Sequence, residues 1–126
     1  MRRLAIIVVS LLAAGFIALP ASAETLKELY DDAGAQADSG ASLLEDSDWQ
    51  FRDGNVQEGC RIMEQARVHY EQAYNDLNAM EDMVNDSANG YSDDDRTRTL
   101  DWIQQQRDTS NDIGGKMAET YYAKCQ

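Results

Sequence analysis

The chain has 126 residues, and 23 acidic side chains against 11 basic ones give it a formal net charge of −12 with its single histidine neutral. A field of that sign repels phosphate backbones and anionic lipid surfaces, so nucleic-acid binding and electrostatic attachment to membranes fall away. The length allows one domain with a modest core.

Arg2 and Arg3 open the chain, an apolar run covers residues 4–19, and Pro20-Ala21-Ser22-Ala23 ends in small residues. That order predicts a secretory signal peptide over residues 1–23, cut after Ala23 at an A-x-A-like site. The apolar run is shorter than the roughly 20 residues a spanning helix needs, and no cysteine follows it for lipid attachment. The expected mature domain is residues 24–126, with nine basic residues against 23 acidic ones and a net charge of −14. A periplasmic or secreted location in a bacterium is expected, with no membrane insertion once the leader is removed.

The remaining chain contains no proline, and it reads as three helical stretches separated by Gly, Asn, Asp and Ser. The first helix is expected over residues 25–52. Leu26, Tyr30, Ala33, Ala37, Gly40 and Leu44 recur at alternating spacings of four and three, a heptad-like seam along one face. Its small members predict that a neighbouring helix comes close. Asp46-Ser47-Asp48 offers a point at which the helix is capped and restarted, and Trp49 and Phe51 then pack near the bundle end. Asp53-Gly54-Asn55 is a turn signal, with Asn55 as N-cap of the next element.

The second helix, residues 55–85, has the clearest pattern. Gly59, Met63, Ala66, Tyr70, Ala73, Leu77, Met80 and Val84 keep the a/d spacing over four heptads. Residues 85–92 form a polar loop containing Gly90. Ser92 is the expected cap of a third helix over residues 93–124, with Asp95 three residues on and three acids in the first turn complementing the helix dipole. Leu100, Ile103, Ile113, Met117 and Tyr121 mark its inner face, interrupted by the polar residues Gln106 and Ser110. Asp94 with Arg98 and Asp112 with Lys116 are acid-first i,i+4 pairs. Gly114-Gly115 weakens the helix by about 1 kcal/mol per glycine relative to alanine, which is enough to split it. The expected fold is an all-α, antiparallel up-down-up bundle.

Cys60 and Cys125 are an even pair in an exported chain. The layout sets the start of the second helix beside the end of the third, so a Cys60–Cys125 disulfide is expected. The two arms differ in length by roughly 10 Å at 1.5 Å per residue, which a kink or a loose last turn absorbs.

Enzymatic chemistry finds little support. His69 stands alone, its only thiol partners are committed to each other, and no Ser-His-Asp arrangement is present. Zinc needs three or four ligands, and the positions near His69 on its helix face are Gln65, Ala66, Gln72 and Ala73. The loop from Asn85 resembles an EF-hand in placing Asn85, Ser87 and Asn89 at alternate positions, Gly90 sixth and Asp93 ninth, but the twelfth position is Arg96 instead of a bidentate Glu. Haem cannot be attached covalently without C-x-x-C-H, and ligation by His69 with Met63, Met80, Met83 or Met117 is the remaining route. Acid pairs for glycoside hydrolysis carry no specificity among 23 carboxylates. No catalytic, metal or cofactor residue is assigned on these grounds.

Gly54-Asn55-Val56, Gly59, Met63 and Ala66 resemble the turn and second-helix opening of a tetratricopeptide hairpin. The likeness covers residues 54–66, the preceding helix lacks that family's Trp-Leu-Gly-Tyr pattern, and it implies a protein-interaction role.

The expected function is therefore a non-enzymatic, exported binding or structural protein of the bacterial envelope or periplasm. It would engage another protein or a second copy, by helix-in-groove docking or as a homodimer. Trp49, Phe51, Trp102 and Tyr122 lie off the seams and are candidates for an exposed contact or for bundle-end caps. The alternative is a small-ligand or metal (calcium or haem) carrier, with Asp46, Asp48 and Asp53 or Asp93, Asp94 and Asp95 as the acidic clusters.

Overall fold

A computed structural model describes the backbone from residue 20 to the C-terminus and side chains from residue 25. Three helices follow in order: α1 (Pro20–Arg52), α2 (Val56–Asn85) and α3 (Asp93–Lys124), with a short 3-10 turn at Ser87–Asn89. The signal peptide expected over residues 1–23 falls outside the described residues up to residue 19. Its last four residues continue into α1, which starts five residues earlier than the apolar seam predicts. At 1.5 Å per residue each helix runs about 45–50 Å, and the three form an all-α bundle without strands among the described residues.

α1 and α2 pack closely along their length, because small residues meet at their crossing. Ala33, Ala37 and Ala41 on α1 are buried, and Ala37 packs in one cluster with Ala66, Tyr70 and Ala73 of α2. At Gly40 the Tyr70 ring comes so near that a Cβ would lie 2.8 Å from its Cε2. Gly59 plays the same part for Phe51, whose ring fills the space a Cβ would need. Ser47 is 2% exposed and its hydroxyl donates to the Gly59 carbonyl at 2.8 Å. Far from restarting the helix, Ser47 ties α1 to α2 within one continuous element.

α1 ends in a Schellman arrangement. Gly54 takes the left-handed conformation at φ 83°, its N–H donates to the Phe51 carbonyl, and the Asn55 N–H reaches back to that of Gln50. These bonds satisfy carbonyls that the helix end leaves open. Asn55 does not cap α2 with its side chain as expected. Its amide donates to Gln50 Oε1 instead, because the Schellman turn already uses this residue to close α1. At the second connection, Asp86 accepts from the Ala88 N–H, the Asn89 amide donates to the Met83 carbonyl, and Ser92 Oγ accepts from the Asp95 N–H at 3.1 Å. The Ser92 cap matches its sequence signature.

All eight seam residues of α2 are buried. α3 is less regular. It runs through Gly114-Gly115 without the break that two glycines suggest. Trp102 is buried, while Tyr121, expected on the inner face, is 43% exposed. Arg98 pairs with Asp95 at i,i+3 instead of with Asp94, whereas the Asp112–Lys116 pair forms at 3.1 Å. α3 is held to α2 by Arg107, which donates to both carboxylate oxygens of Glu81 and to Asn78 Oδ1. Its guanidinium also lies 5.9 Å from the Tyr74 ring centre. The Cys60–Cys125 disulfide is formed, with Cα atoms 5.8 Å apart across 65 residues. No described helix is long and apolar enough to cross a membrane.

Candidate binding cleft

The core is divided in two. One cluster gathers Leu26, Leu77, Met80, Val84, Trp102 and Ile103. The other holds Ala37, Leu44, Met63, Ala66, Tyr70, Ala73 and Ile113 near the disulfide. Between Ile103 and Ile113 the α3 seam carries Gln106 and Ser110, and at the same level α1 offers Ala33 and Gly34. Polar or very short side chains on facing helices cannot fill the space between them. A cleft of about 260 Å³ results.

Its α1 wall is formed by Tyr30, Asp31, Ala33, Gly34, Ala35 and Asp38, its floor by Ala73 and Leu77 of α2, and its α3 wall by Trp102, Gln106 and Ser110. Tyr30 and Trp102 meet at one end, with ring centres 5.2 Å apart and planes tilted by 60°. A second depression at the start of α2, about 800 Å³ and lined by residues 54–58 and Arg61, is built from one stretch of chain and has no opposing wall.

Two polar atoms of the first cleft's lining are buried without a partner: Trp102 Nε1 and Gln106 Oε1. Both residues are nearly inaccessible, at 6% and 5% exposure. An unmade hydrogen bond at such a depth costs on the order of 1–3 kcal/mol, and both atoms lie beneath the cleft surface. The Tyr70 hydroxyl, also unpartnered, is pushed up to about 12 by burial and by the nearby Asp38 carboxylate. Burial and then Asp31 raise Tyr30 as well.

Beside the cleft, Asp32 of α1 faces Asp76 of α2. Burial, a hydrogen bond to the Asp32 carboxyl and its charge together lift Asp76 to about 7. Asp76 Oδ2 is buried without a donor, as two ionised carboxylates must be. A proton held between them supplies the missing donor.

The residues considered for chemistry are dispersed. His69 is half-buried and its Nδ1 hydrogen-bonds Gln36 Oε1 at 2.6 Å. That oxygen only accepts, so Nδ1 carries the proton, and His69 is a tie between α1 and α2. Met63 and Met80 are buried in the two separate core clusters, with Met83 and Met117 packed against them. In the EF-hand-like loop, Asn89 turns its amide to the α2 carboxyl end and Asp93 pairs with Arg96 at 3.0 Å. Asp48 likewise pairs with Arg52 at 2.9 Å. Among the described residues no three His, Cys, Asp or Glu side chains converge as metal ligands.

The four off-seam aromatics divide evenly. Trp102 lines the cleft and Phe51 packs inside over Gly59, whereas Trp49 is 60% and Tyr122 69% exposed. In the sequence Gln106 and Ser110 stand out only as polar interruptions of a seam. Comparison with known families, characterised proteins and solved structures finds no match.

Proposed function

We propose that this is an exported, non-enzymatic binding protein of the bacterial cell envelope or periplasm, and that the cleft between α1 and α3 takes a small molecule. The observation that carries the reading is the recess itself, about 260 Å³ in volume, walled by all three helices, largely apolar and edged by Asp31 and Asp38. Small-molecule sites are concave and mostly apolar, with a few placed polar groups. The disulfide fits an oxidising compartment, in keeping with the leader read over residues 1–23. The test is native mass spectrometry of protein purified from the exported fraction, with Gly34→Leu as control. A mass adduct lost in the variant supports the reading, and identical ligand-free spectra for both forms over a metabolite library overturn it.

Engagement of another protein is the second reading, favoured by the exposure of Trp49, Tyr121 and Tyr122 at the disulfide end. Large exposed aromatics are over-represented where proteins meet. Mixed-size species in sedimentation, abolished by Trp49→Ser with Tyr122→Ser, would support it. An unchanged monomer in the presence of the whole exported fraction counts against it.

A further inference from the structure

We propose that the ligand of the α1–α3 cleft is an organic cation: a small protonated amine carried on an apolar or aromatic body. The inference rests on the cleft being the binding site and adds what it binds.

Charge decides first. No Lys, Arg or His lines the cleft, while two carboxylates do. Asp31 is drawn outward by Lys27, 2.9 Å from its Oδ2 at the surface. Asp38 has no cationic partner among the described residues, and its field reaches far enough inward to act on the Tyr70 hydroxyl. An anion entering here meets uncompensated negative charge in a low-dielectric recess, where such repulsion is poorly screened. A cation meets attraction, reinforced by the acidic field of the whole protein.

The aromatic end supplies the second element. Tyr30 and Trp102 form a tilted pair in the lining of the recess, and the faces of Trp and Tyr attract ammonium groups within about 6 Å of the ring centre. Apolar flooring by Ala73 and Leu77 then accepts the hydrocarbon body.

Hydrogen bonding narrows the class. The unpartnered Gln106 Oε1 is an acceptor, and its carboxamide turns about a soft terminal torsion. A primary or secondary ammonium donates to it, which a quaternary ammonium cannot do. A cleft of about 260 Å³ lies at the small end of ligand sites and admits a body on the order of ten non-hydrogen atoms.

Three probes of closely similar size separate these elements: 2-phenylethylamine, 2-phenylethanol and phenylacetate. Each is titrated by calorimetry at low ionic strength, and by fluorescence in a Trp49→Phe background, where Trp102 is the remaining tryptophan outside the exposed end. The amine is expected to bind, the alcohol about tenfold more weakly, and the carboxylate not at all. Asp38→Asn should weaken the amine about fivefold and leave the alcohol unchanged. Gly34→Leu, which grows into space with no atom within 4 Å, should remove both without loss of helical circular dichroism. Equal binding of amine and alcohol, with both lost in Gly34→Leu, would overturn the cation proposal while leaving the cleft as the site. Failure of all three probes, or binding that Gly34→Leu does not affect, overturns the proposal together with the reading beneath it.

Discussion

Replacing Asp76 by Asn tests the carboxyl pair that links α1 to α2. In the folded protein Asp76 titrates near 7 instead of the ordinary 3.8, so between those values the native state holds a proton that the unfolded chain has released. Stability from this group is therefore complete below about pH 4 and is lost as the pH rises through 7. A shift of about three units corresponds to roughly 4 kcal/mol at 1.36 kcal/mol per unit. Asp32, its partner, is exposed, so solvent screening reduces the realised effect to about 1–2 kcal/mol. The amide introduced by Asp76→Asn would donate to Asp32 at every pH. In thermal melts from pH 4.5 to 8.5 the variant should gain on the parent only toward the alkaline end, by on the order of 5–10 °C for a domain of about this size. The diagnostic quantity is the difference between the two proteins, because general charge repulsion acts on both. A difference that is flat with pH, or that grows toward acid, refutes the shared-proton account.

Cys60→Ser with Cys125→Ser opens a 65-residue separation and should lower stability by about 4 kcal/mol in the chain-entropy description; urea unfolding of variant and oxidised parent side by side measures it, and coincident curves would contradict it. Gly40→Ala forces a methyl against the Tyr70 ring and should cost about 1–3 kcal/mol. Gly114→Ala and Gly115→Ala meet nothing within 4 Å and should each stabilise by roughly 1 kcal/mol, so the same denaturation assay must show opposite signs. Arg107→Gln removes the bidentate contact that holds Glu81 below the usual carboxylate range. The loss, about 1 kcal/mol near pH 7 for this partly exposed pair, should shrink as the pH falls through the range in which Glu81 protonates, because a depressed carboxylate stabilises only above it.

The bundle was legible wherever one helix determines its own face. The α2 seam repeats without interruption, and all eight of its members are buried. The small residues of α1 announced a close neighbour because only Gly and Ala allow backbones to approach at Gly40 and Ala37. α3 was harder. Its apolar face is thin, so Trp102, one position off the seam, is drawn inward beside Ile103, while Tyr121 stays exposed. The cleft depends on three helices being short-sided at the same level. Gln106 and Ser110 were visible as anomalies, but Ala33 and Gly34 become their counterparts only once the register between helices is known. The Asp32–Asp76 encounter hides for the same reason, since each residue lies beside its own seam and appears solvent-facing when read alone.

The disulfide divides the molecule unequally. It closes a covalent ring from Cys60 to Cys125 that contains α3 and nearly all of α2, and leaves α1 outside. A protease cut at the exposed Asp53-Gly54-Asn55 turn would free α1 as a separate fragment, held only by packing. A cut between Asp86 and Ser92 would leave two pieces that still migrate together until reduced. Hydrogen exchange should show the same hierarchy, with α1 opening as a unit while the ringed hairpin stays protected. Because α1 is one wall of the cleft, a ligand seated there would bind the ring to the arm outside it and slow that opening.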